Sequence, residues 1–216
     1  MITIQAITEV PAQLAGIRAA IFDLDDTLYS EKEYVRSGYR AAAEVLPQVD
    51  HCAEKLWAAF EAKQNAFDEV LRAEGISAEE WLIPCLQAYR YHKPEIHLYP
   101  GAVDMLRQLR AQGVGLGMIT DGRSEGQRAK IEALGLAPLF ECIIVTDELG
   151  GVQYRKPNER AYRLMQNFFG VPFEAMAYIG DNRKKDFKAP EALGMRSIWF
   201  RNPDGIYFEG DPETAE

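Results

Sequence analysis

Short, continuous apolar runs separated by longer helical patterns constrain the fold of this chain more than any other feature of its sequence. The runs lack the apolar–polar alternation of a half-exposed strand. They therefore predict strands that are buried on both faces, as in a parallel sheet. The five runs are Ala19–Leu24, Val114–Thr120, Cys142–Val145, Ala175–Ile179 and Arg196–Phe200.

Helical patterns lie between these runs. We predict helices at Ala102–Ala111, Glu125–Leu134 and Glu159–Phe169, the last two ending at Gly135 and Gly170. Strands that alternate with helices imply right-handed crossover connections. The sequence therefore predicts an α/β fold with a Rossmann-like, doubly wound parallel sheet.

The interval between the first and second runs is different, because its roughly ninety residues contain no convincing strand pattern. Glu31–Leu46 and Ala53–Ala73 are predicted to form amphipathic helices. Ser77-Ala-Glu-Glu80 is a capping-box pattern for a further helix, which Pro84 either kinks or delays.

These patterns predict a small helical domain inserted into the α/β core just after its first strand. We place the inserted domain at residues 30–97 and the core at residues 1–29 plus 98–216. The acidic tail from Asn202 to Glu216, which contains several Gly and Pro residues, is predicted to be a loop or a frayed end.

Composition narrows the range of partners and compartments. The net charge of −9 disfavours a nucleic-acid polymer as the main partner, because a polyanion usually binds a basic face. No apolar run approaches the roughly 20 residues that cross a bilayer, so we expect no membrane association. Three single cysteines and the absence of a signal-peptide pattern predict a cytoplasmic protein.

The first apolar run leads directly into three carboxylates, Asp23, Asp25 and Asp26. Ligands of open α/β sheets gather at the carboxyl ends of the strands, so these side chains are placed where chemistry occurs. Clustered carboxylates repel one another unless a cation is present, and Mg²⁺ is a natural oxygen-binding partner. Because Asp23 and Asp25 are two residues apart, we expect them to share one face of the strand.

The later runs also end in polar residues, each of which has an ordinary interpretation when taken alone. Thr120 and Asp121 follow the second run and resemble a capped turn. Lys156 precedes Pro157 and resembles a surface lysine. Asp181 follows Gly180, where we expect the glycine to permit a sharp turn, and Asp186 comes five residues later. Together these residues would form a single site for a phosphate and a metal ion.

Taken together, these motifs resemble those of the haloacid dehalogenase superfamily, over roughly residues 17–30 and 98–200. The family's Asp-x-Asp-x-Thr motif is met by Asp23, Asp25 and Thr27. Its later motifs are met by a Thr, a Lys and a Gly-Asp pair with a following Asp. The corresponding residues are Thr120, Lys156, Asp181 and Asp186. The segment after the first motif resembles the family's type-1 helical cap.

The resemblance implies a phosphatase in which Asp23 attacks phosphorus and Asp25 serves as general acid and base. It implies that Asp23, Asp181 and the backbone carbonyl of Asp25 bind Mg²⁺. Asp186 would then hydrogen-bond to the metal ligands without binding the metal itself. Thr120 and Lys156 are assigned to the phosphate oxygens. Asp121 stands where many relatives have Asn. It either contacts a substrate hydroxyl, as a third substrate-binding residue, or points elsewhere.

Several alternatives remain open from the sequence. A phosphomutase would keep every motif, whereas a dehalogenase would lack the acid/base at Asp25. A receiver-type signalling module places its phosphorylated Asp after the third strand rather than the first, and a phosphate-responsive binding protein would not need the complete catalytic set. A small phosphorylated metabolite is the expected partner, with a nucleotide or a sugar phosphate as the leading candidates.

Overall fold

The computed structural model describes residues 1–208 and divides into two compact units. One unit contains residues 1–31 together with the chain from residue 97 onward, and the other contains residues 32–96. The roles of core and cap that we assign to the two predicted domains stay predictions. Residues 203–207 form turns and a bend, residues 202 and 208 beside them are irregular, and the rest of the predicted terminal loop, residues 209–216, lies outside the described residues.

The first unit contains a parallel sheet of six strands in the order β1-β6-β5-β2-β3-β4, which confirms the predicted doubly wound fold. The strands are β1 (Ile2–Ile4), β2 (Ala19–Phe22), β3 (Gly115–Thr120), β4 (Cys142–Val145), β5 (Met176–Gly180) and β6 (Arg196–Phe200). The helices α5 (Ala102–Ala111), α6 (Ser124–Ala133), α7 (Arg160–Phe169) and α8 (Lys188–Leu193) connect them. Strand β2 lies between β3 and β5, so the chain reverses its winding direction beside it.

The strand predictions were incomplete in two respects. Strand β1 was missed, because three residues are too few to give a periodic signal, and it pairs with β6 through Ile2 and Ile198. Strand β2 was predicted to reach Leu24 but ends at Phe22. The backbone stays close to the sheet for one further residue, since the Asp23 N–H donates to the Ile179 carbonyl at 2.8 Å.

The second unit is helical, and α1 (Glu31–Val45) enters it from the last residue of the first unit. The predicted helix at Ala53–Ala73 was wrong as a single element. It is divided into α2 (Cys52–Glu61) and α3 (Ala66–Ala73), and Lys63 between them has a left-handed φ of 57°. Local amphipathicity continues through the break, which is why periodicity alone did not locate it.

The last helix of this unit, α4 (Ala78–Tyr91), begins directly after Ser77. Its start is therefore not delayed by Pro84, which lies inside the helix. Ser77 occupies the predicted N-cap position but makes no side-chain capping hydrogen bond. An aromatic cluster joins the helices, with the Tyr39 ring centroid 5.8 Å from Phe67 and 5.5 Å from Tyr89.

Within residues 1–208, no helix is both long enough and apolar enough to span a bilayer. The three cysteines are free thiols, with Cys52 and Cys85 buried and Cys142 partly buried.

Glycine at position 117 allows α7 to pack closely on β3. A Cβ atom added there would lie 2.7 Å from Ile21 Cδ1, 2.9 Å from Met165 Sδ and 3.1 Å from a ring carbon of Phe169. We expect Gly117→Ala to lower the free energy of unfolding by about 1–3 kcal/mol, because overpacking strains a dense core. Urea denaturation measures this change.

Ile21→Val tests the cause of that loss, because it removes the methyl group nearest to the new Cβ atom. By itself it should cost about 0.5–1.5 kcal/mol. The double variant should be less destabilised than the sum of the two single variants, because the two sites are in contact. Strict additivity would contradict the steric explanation.

Candidate active site

The carboxyl ends of β2, β3 and β5 border a cleft of about 340 Å³, which we call the active-site cleft. All of its lining residues belong to the first unit. They are Asp23, Asp25, Asp26, Glu31, Asp121, Arg155, Lys156, Asp181, Asn182, Lys185 and Tyr207.

A buried lysine joins two carboxylates at the base of the cleft. Lys156 Nζ lies 2.7 Å from Asp23 Oδ1 and 2.8 Å from Asp186 Oδ1. The Lys156 and Asp186 side chains are fully buried, and that of Asp23 is 3% exposed. Lys156 also donates to the Tyr178 hydroxyl at 3.0 Å. A charge this deeply buried is stable only when it is paired, so these contacts fix the lysine in place.

The charge of Lys156 also sets the protonation of its neighbours. Burial raises the pKa of Asp23, Lys156 lowers it and Asp186 raises it again, which leaves the value at about 6. Burial alone would lower the pKa of Lys156, but Asp186 and Asp23 raise it well above its ordinary value. Near neutral pH, Lys156 is therefore a cation and Asp23 is mainly a carboxylate.

A third carboxylate, Asp181, completes an acidic cluster with Asp23 and Asp186. One oxygen from each of these residues lies within 4.8 Å of the other two. Burial raises the pKa of Asp181 to about 9, with further contributions from Asp186 and Asp23. Crowded oxygen ligands of this kind fit Mg²⁺, whose charge would relieve their mutual repulsion.

Asp186 differs from the other two members of the cluster because protein groups engage both of its oxygens. Oδ1 contacts Lys156, and Oδ2 accepts a hydrogen bond from the Asn182 backbone N–H at 2.9 Å. A Cβ atom at position 180 would lie 2.5 Å from Asp186 Oδ2. Gly180 does not have a positive φ, so the sharp turn that we predicted does not explain the glycine. The glycine is required because Asp186 approaches too closely for a Cβ atom at this position.

Asp25 has different partners from Asp23. Its Oδ1 lies 2.7 Å from Lys130 Nζ and accepts a hydrogen bond from the Tyr29 hydroxyl, while its Oδ2 accepts one from Gln127 Nε2 at 2.8 Å. The two aspartates line the same cleft, but the strand ends before either of them. The expectation that they share one face of a strand was therefore wrong.

These contacts also give Asp25 a different acidity. Burial raises its pKa, but Lys130 and the hydrogen bonds from Lys130, Tyr29 and Gln127 outweigh that effect, and the net shift is downward. Asp25 is thus held as an ionised carboxylate, whereas the pKa of Asp23 is raised.

Thr120 and Asp121 lie at the end of β3. The Thr120 side chain is buried, and its hydroxyl accepts a hydrogen bond from Gln127 Nε2. Asp121 Oδ1 accepts hydrogen bonds from the Thr146 hydroxyl at 2.9 Å and from the Lys156 backbone N–H at 3.0 Å. Lys185 Nζ lies 3.7 Å from Asp121 Oδ2. Protein donors and a nearby cation thus offset the charge of Asp121.

Asp26, the third carboxylate of the first motif, organises the backbone. It adopts a left-handed φ of 52°. Its two carboxylate oxygens accept hydrogen bonds from the backbone N–H groups of Glu31 at 2.8 Å and Ile206 at 2.7 Å. Asp26 therefore connects the loop after β2 to the segment that follows β6.

Sequence reasoning missed Gln127, Lys130 and Lys185. Gln127 and Lys130 are three residues apart and therefore share one face of α6. That spacing is visible in the sequence, but polar residues on a helix usually face solvent. Both side chains are instead buried beside Asp25.

A doubly wound sheet with clustered carboxylates and a buried lysine at its carboxyl edge is typical of α/β enzymes that bind their ligands at the carboxyl ends of the strands. A sequence profile of the haloacid dehalogenase-like hydrolases matches residues 17–194. Because that match covers most of the chain, the protein belongs to the haloacid dehalogenase-like hydrolase family.

Relatives within the family extend over most of the chain. The glyceraldehyde 3-phosphate phosphatase of Methanopyrus kandleri is 30% identical over 218 residues, covering 93% of this chain and 90% of that protein. The phosphoserine phosphatase of Thermus thermophilus is 31% identical over 153 residues, covering 71% and 59%. The HAD-hydrolase YfnB of Bacillus subtilis, crystallised bound to magnesium, has the same fold, with a TM-score of 0.67, 24% identity and 91% coverage of both chains.

The raised pKa of Asp181 predicts a pH-dependent stability in the presence of chelator. The native state keeps a proton on Asp181 up to about pH 9, whereas the unfolded chain loses it near pH 3.8. Between these values only the unfolded chain is ionised at Asp181, which favours unfolding, so the folded state loses stability as the pH rises. Asp181→Asn removes that loss.

We expect the melting temperature of Asp181→Asn, relative to the unsubstituted protein, to increase steadily from pH 5 to pH 9 in EDTA. Differential scanning calorimetry measures this difference. Asp104→Asn, the same change at a highly exposed site, should show a constant difference. A flat profile for Asp181→Asn would contradict the raised pKa.

Proposed function

We propose that this protein is a Mg²⁺-dependent phosphatase that hydrolyses a small phosphomonoester through a phosphorylated Asp23. The observation that carries the proposal is the Asp23 carboxylate, which is buried beside a cationic lysine at the end of the central strand β2. Lys156 gives the nucleophile a fixed position and offsets the repulsion between a carboxylate and a phosphate dianion. The phosphatases among its relatives support the reaction class.

In the first step, an oxygen of Asp23 attacks phosphorus, and the bond from phosphorus to the ester oxygen breaks. The phosphoryl group moves to Asp23 and forms an acyl phosphate. Lys156 and the Thr120 hydroxyl stabilise the non-bridging oxygens. Asp25 donates a proton to the departing alcohol, which requires that it first take up a proton and loosen its contact with Lys130.

In the second step, water attacks phosphorus and the bond to Asp23 breaks, which regenerates the carboxylate and releases inorganic phosphate. Asp25 accepts the proton from that water. Its lowered pKa keeps it ionised and ready to act as a base near neutral pH.

The cleft offers suitable ligands for the metal. Asp23 and Asp181 would hold Mg²⁺, with the backbone carbonyl of Asp25 as a further ligand by analogy with the family, and Asp186 would orient the cluster through Lys156. When bound, Mg²⁺ supplies positive charge that lets the carboxylates and the phosphate approach one another.

The relatives suggest a class of substrate. Glyceraldehyde 3-phosphate and phosphoserine, which appear in the names of two of them, are both three-carbon phosphomonoesters. We propose that this protein also acts on small phosphorylated metabolites of that kind, alongside the nucleotides and sugar phosphates considered from sequence. A panel containing members of all three classes, assayed for released phosphate, would rank them. Product analysis with a sugar phosphate would reveal any mutase activity.

Asp23→Asn tests the nucleophile. An amide is nearly the same shape as the carboxylate but cannot form the acyl phosphate, so turnover of p-nitrophenyl phosphate should fall by at least about 10³-fold. Asp104→Asn, the matched exposed control, should keep full activity. If Asp23→Asn remains folded by circular dichroism and retains normal turnover, the proposal is wrong.

Metal removal tests the cofactor. Excess EDTA should abolish turnover, and added Mg²⁺ should restore it. Ca²⁺ should not, because it takes more ligands at distances longer than the roughly 2.1 Å of Mg²⁺. Mg²⁺ should also raise the melting temperature, since a ligand that binds the native state stabilises it. Full activity in EDTA, or no thermal shift with Mg²⁺, would contradict the assigned metal role.

A further inference from the structure

One face of α6 is turned toward the catalytic carboxylates. Gln127 and Lys130 lie nearly one turn apart on this face, and both are about 95% buried. An uncharged amide and a lysine are costly to bury unless each is paired. The groups that pair with Gln127 and Lys130 therefore indicate why these two residues occur on this face of α6.

Lys130 is paired with Asp25. The two atoms Lys130 Nζ and Asp25 Oδ1 are 2.7 Å apart, and the lysine side chain is 6% exposed. Together with Tyr29 and Gln127, it gives the Asp25 carboxylate three donors from three side chains. These three donors together fix both the position and the orientation of the Asp25 carboxylate.

Gln127 connects Asp25 to Thr120. A carboxylate only accepts hydrogen bonds, so the amide nitrogen of Gln127 must face Asp25 Oδ2, which is 2.8 Å away. The second hydrogen of the same nitrogen is directed to Thr120 Oγ1. Because the Thr120 oxygen accepts from Gln127, the hydroxyl hydrogen is left for a different acceptor.

The Gln127 side chain lies close to the backbone of the turn that precedes α6. Gly122 has a φ of 140°, and a Cβ atom there would lie 3.1 Å from Gln127 Cγ and 3.2 Å from Oε1. A side chain at position 122 would thus press on Gln127. The glycine therefore leaves room for Gln127 beside Asp25 and Thr120.

We propose that Gln127 and Lys130 are positioning residues of the phosphatase reaction, with Lys130 orienting Asp25 and Gln127 orienting both Asp25 and Thr120. This inference rests on the proposed function. Neither residue touches the transferred phosphoryl group. They act through the acid/base and the phosphate-binding hydroxyl, and they couple the ends of two neighbouring strands through one helix face.

Lys130→Met and Gln127→Met are the direct tests, because each keeps the length of the side chain and removes its donors. We expect kcat for p-nitrophenyl phosphate to fall about 10- to 100-fold, the range typical of residues that orient catalytic groups. Lys130→Arg should retain more activity than Lys130→Met, since it keeps a cationic donor. Arg128→Met, on the exposed side of α6, should match the unsubstituted enzyme.

A double-mutant cycle separates positioning from a general effect on packing. If Lys130 acts through Asp25, adding Lys130→Met to Asp25→Asn should cost less than about twofold further in kcat. Gln127→Met should still lower the activity of Asp25→Asn, because its link to Thr120 remains to be lost. Full additivity for Lys130→Met, or an unchanged or increased kcat in either single variant, would overturn the inference.

Comparison with Asp23→Asn keeps the two proposals distinct. If Asp23→Asn is inactive while Lys130→Met and Gln127→Met behave normally, only the positioning inference fails. If Asp23→Asn is active, the phosphatase mechanism itself fails. Circular dichroism and melting temperatures establish that each variant is folded before its kinetics are compared.

Discussion

The buried contact of Lys156 with Asp23 and Asp186 is the interaction on which the rest of the site depends. These three charges meet at the carboxyl edge of the sheet, where Asp23 directly follows β2 and the segments after β4 and β5 supply Lys156 and Asp186. Without the lysine, the two buried carboxylates would lose the only cation that the described residues place in direct contact with both of them. With it, the Asp23 carboxylate is held in one place and remains largely ionised near neutral pH.

Contacts with neighbouring groups also shift the pKa values of two nearby aspartates in opposite directions. Asp23 and Asp25 are two residues apart, yet the pKa of Asp23 is raised and that of Asp25 is lowered. The difference comes from their partners. Asp23 shares one lysine with another carboxylate, whereas Asp25 has Lys130 together with two neutral donors. Two carboxylates with different acidities are what a nucleophile and an acid/base require.

The fold could be predicted well where an element leaves a hydrophobic pattern in its own short segment of sequence, and poorly where it does not. Continuous apolar runs identified five strands, because a strand buried on both faces shows its pattern in its own sequence. The three-residue β1 and the break between α2 and α3 were missed, since neither changes the local periodicity. Gly180 was identified for the wrong reason, because only the folded chain brings Asp186 against it.

The sequence by itself determined the α/β class, the family and the set of polar residues at the strand ends, because each of these depends on short motifs next to apolar runs. The tertiary structure decided which carboxylate meets which lysine. Lys130 and Asp25 are 105 residues apart, and the helical period shows only that Gln127 and Lys130 share a face. What that face packs against depends on the order of strands in the sheet, which local patterning does not encode.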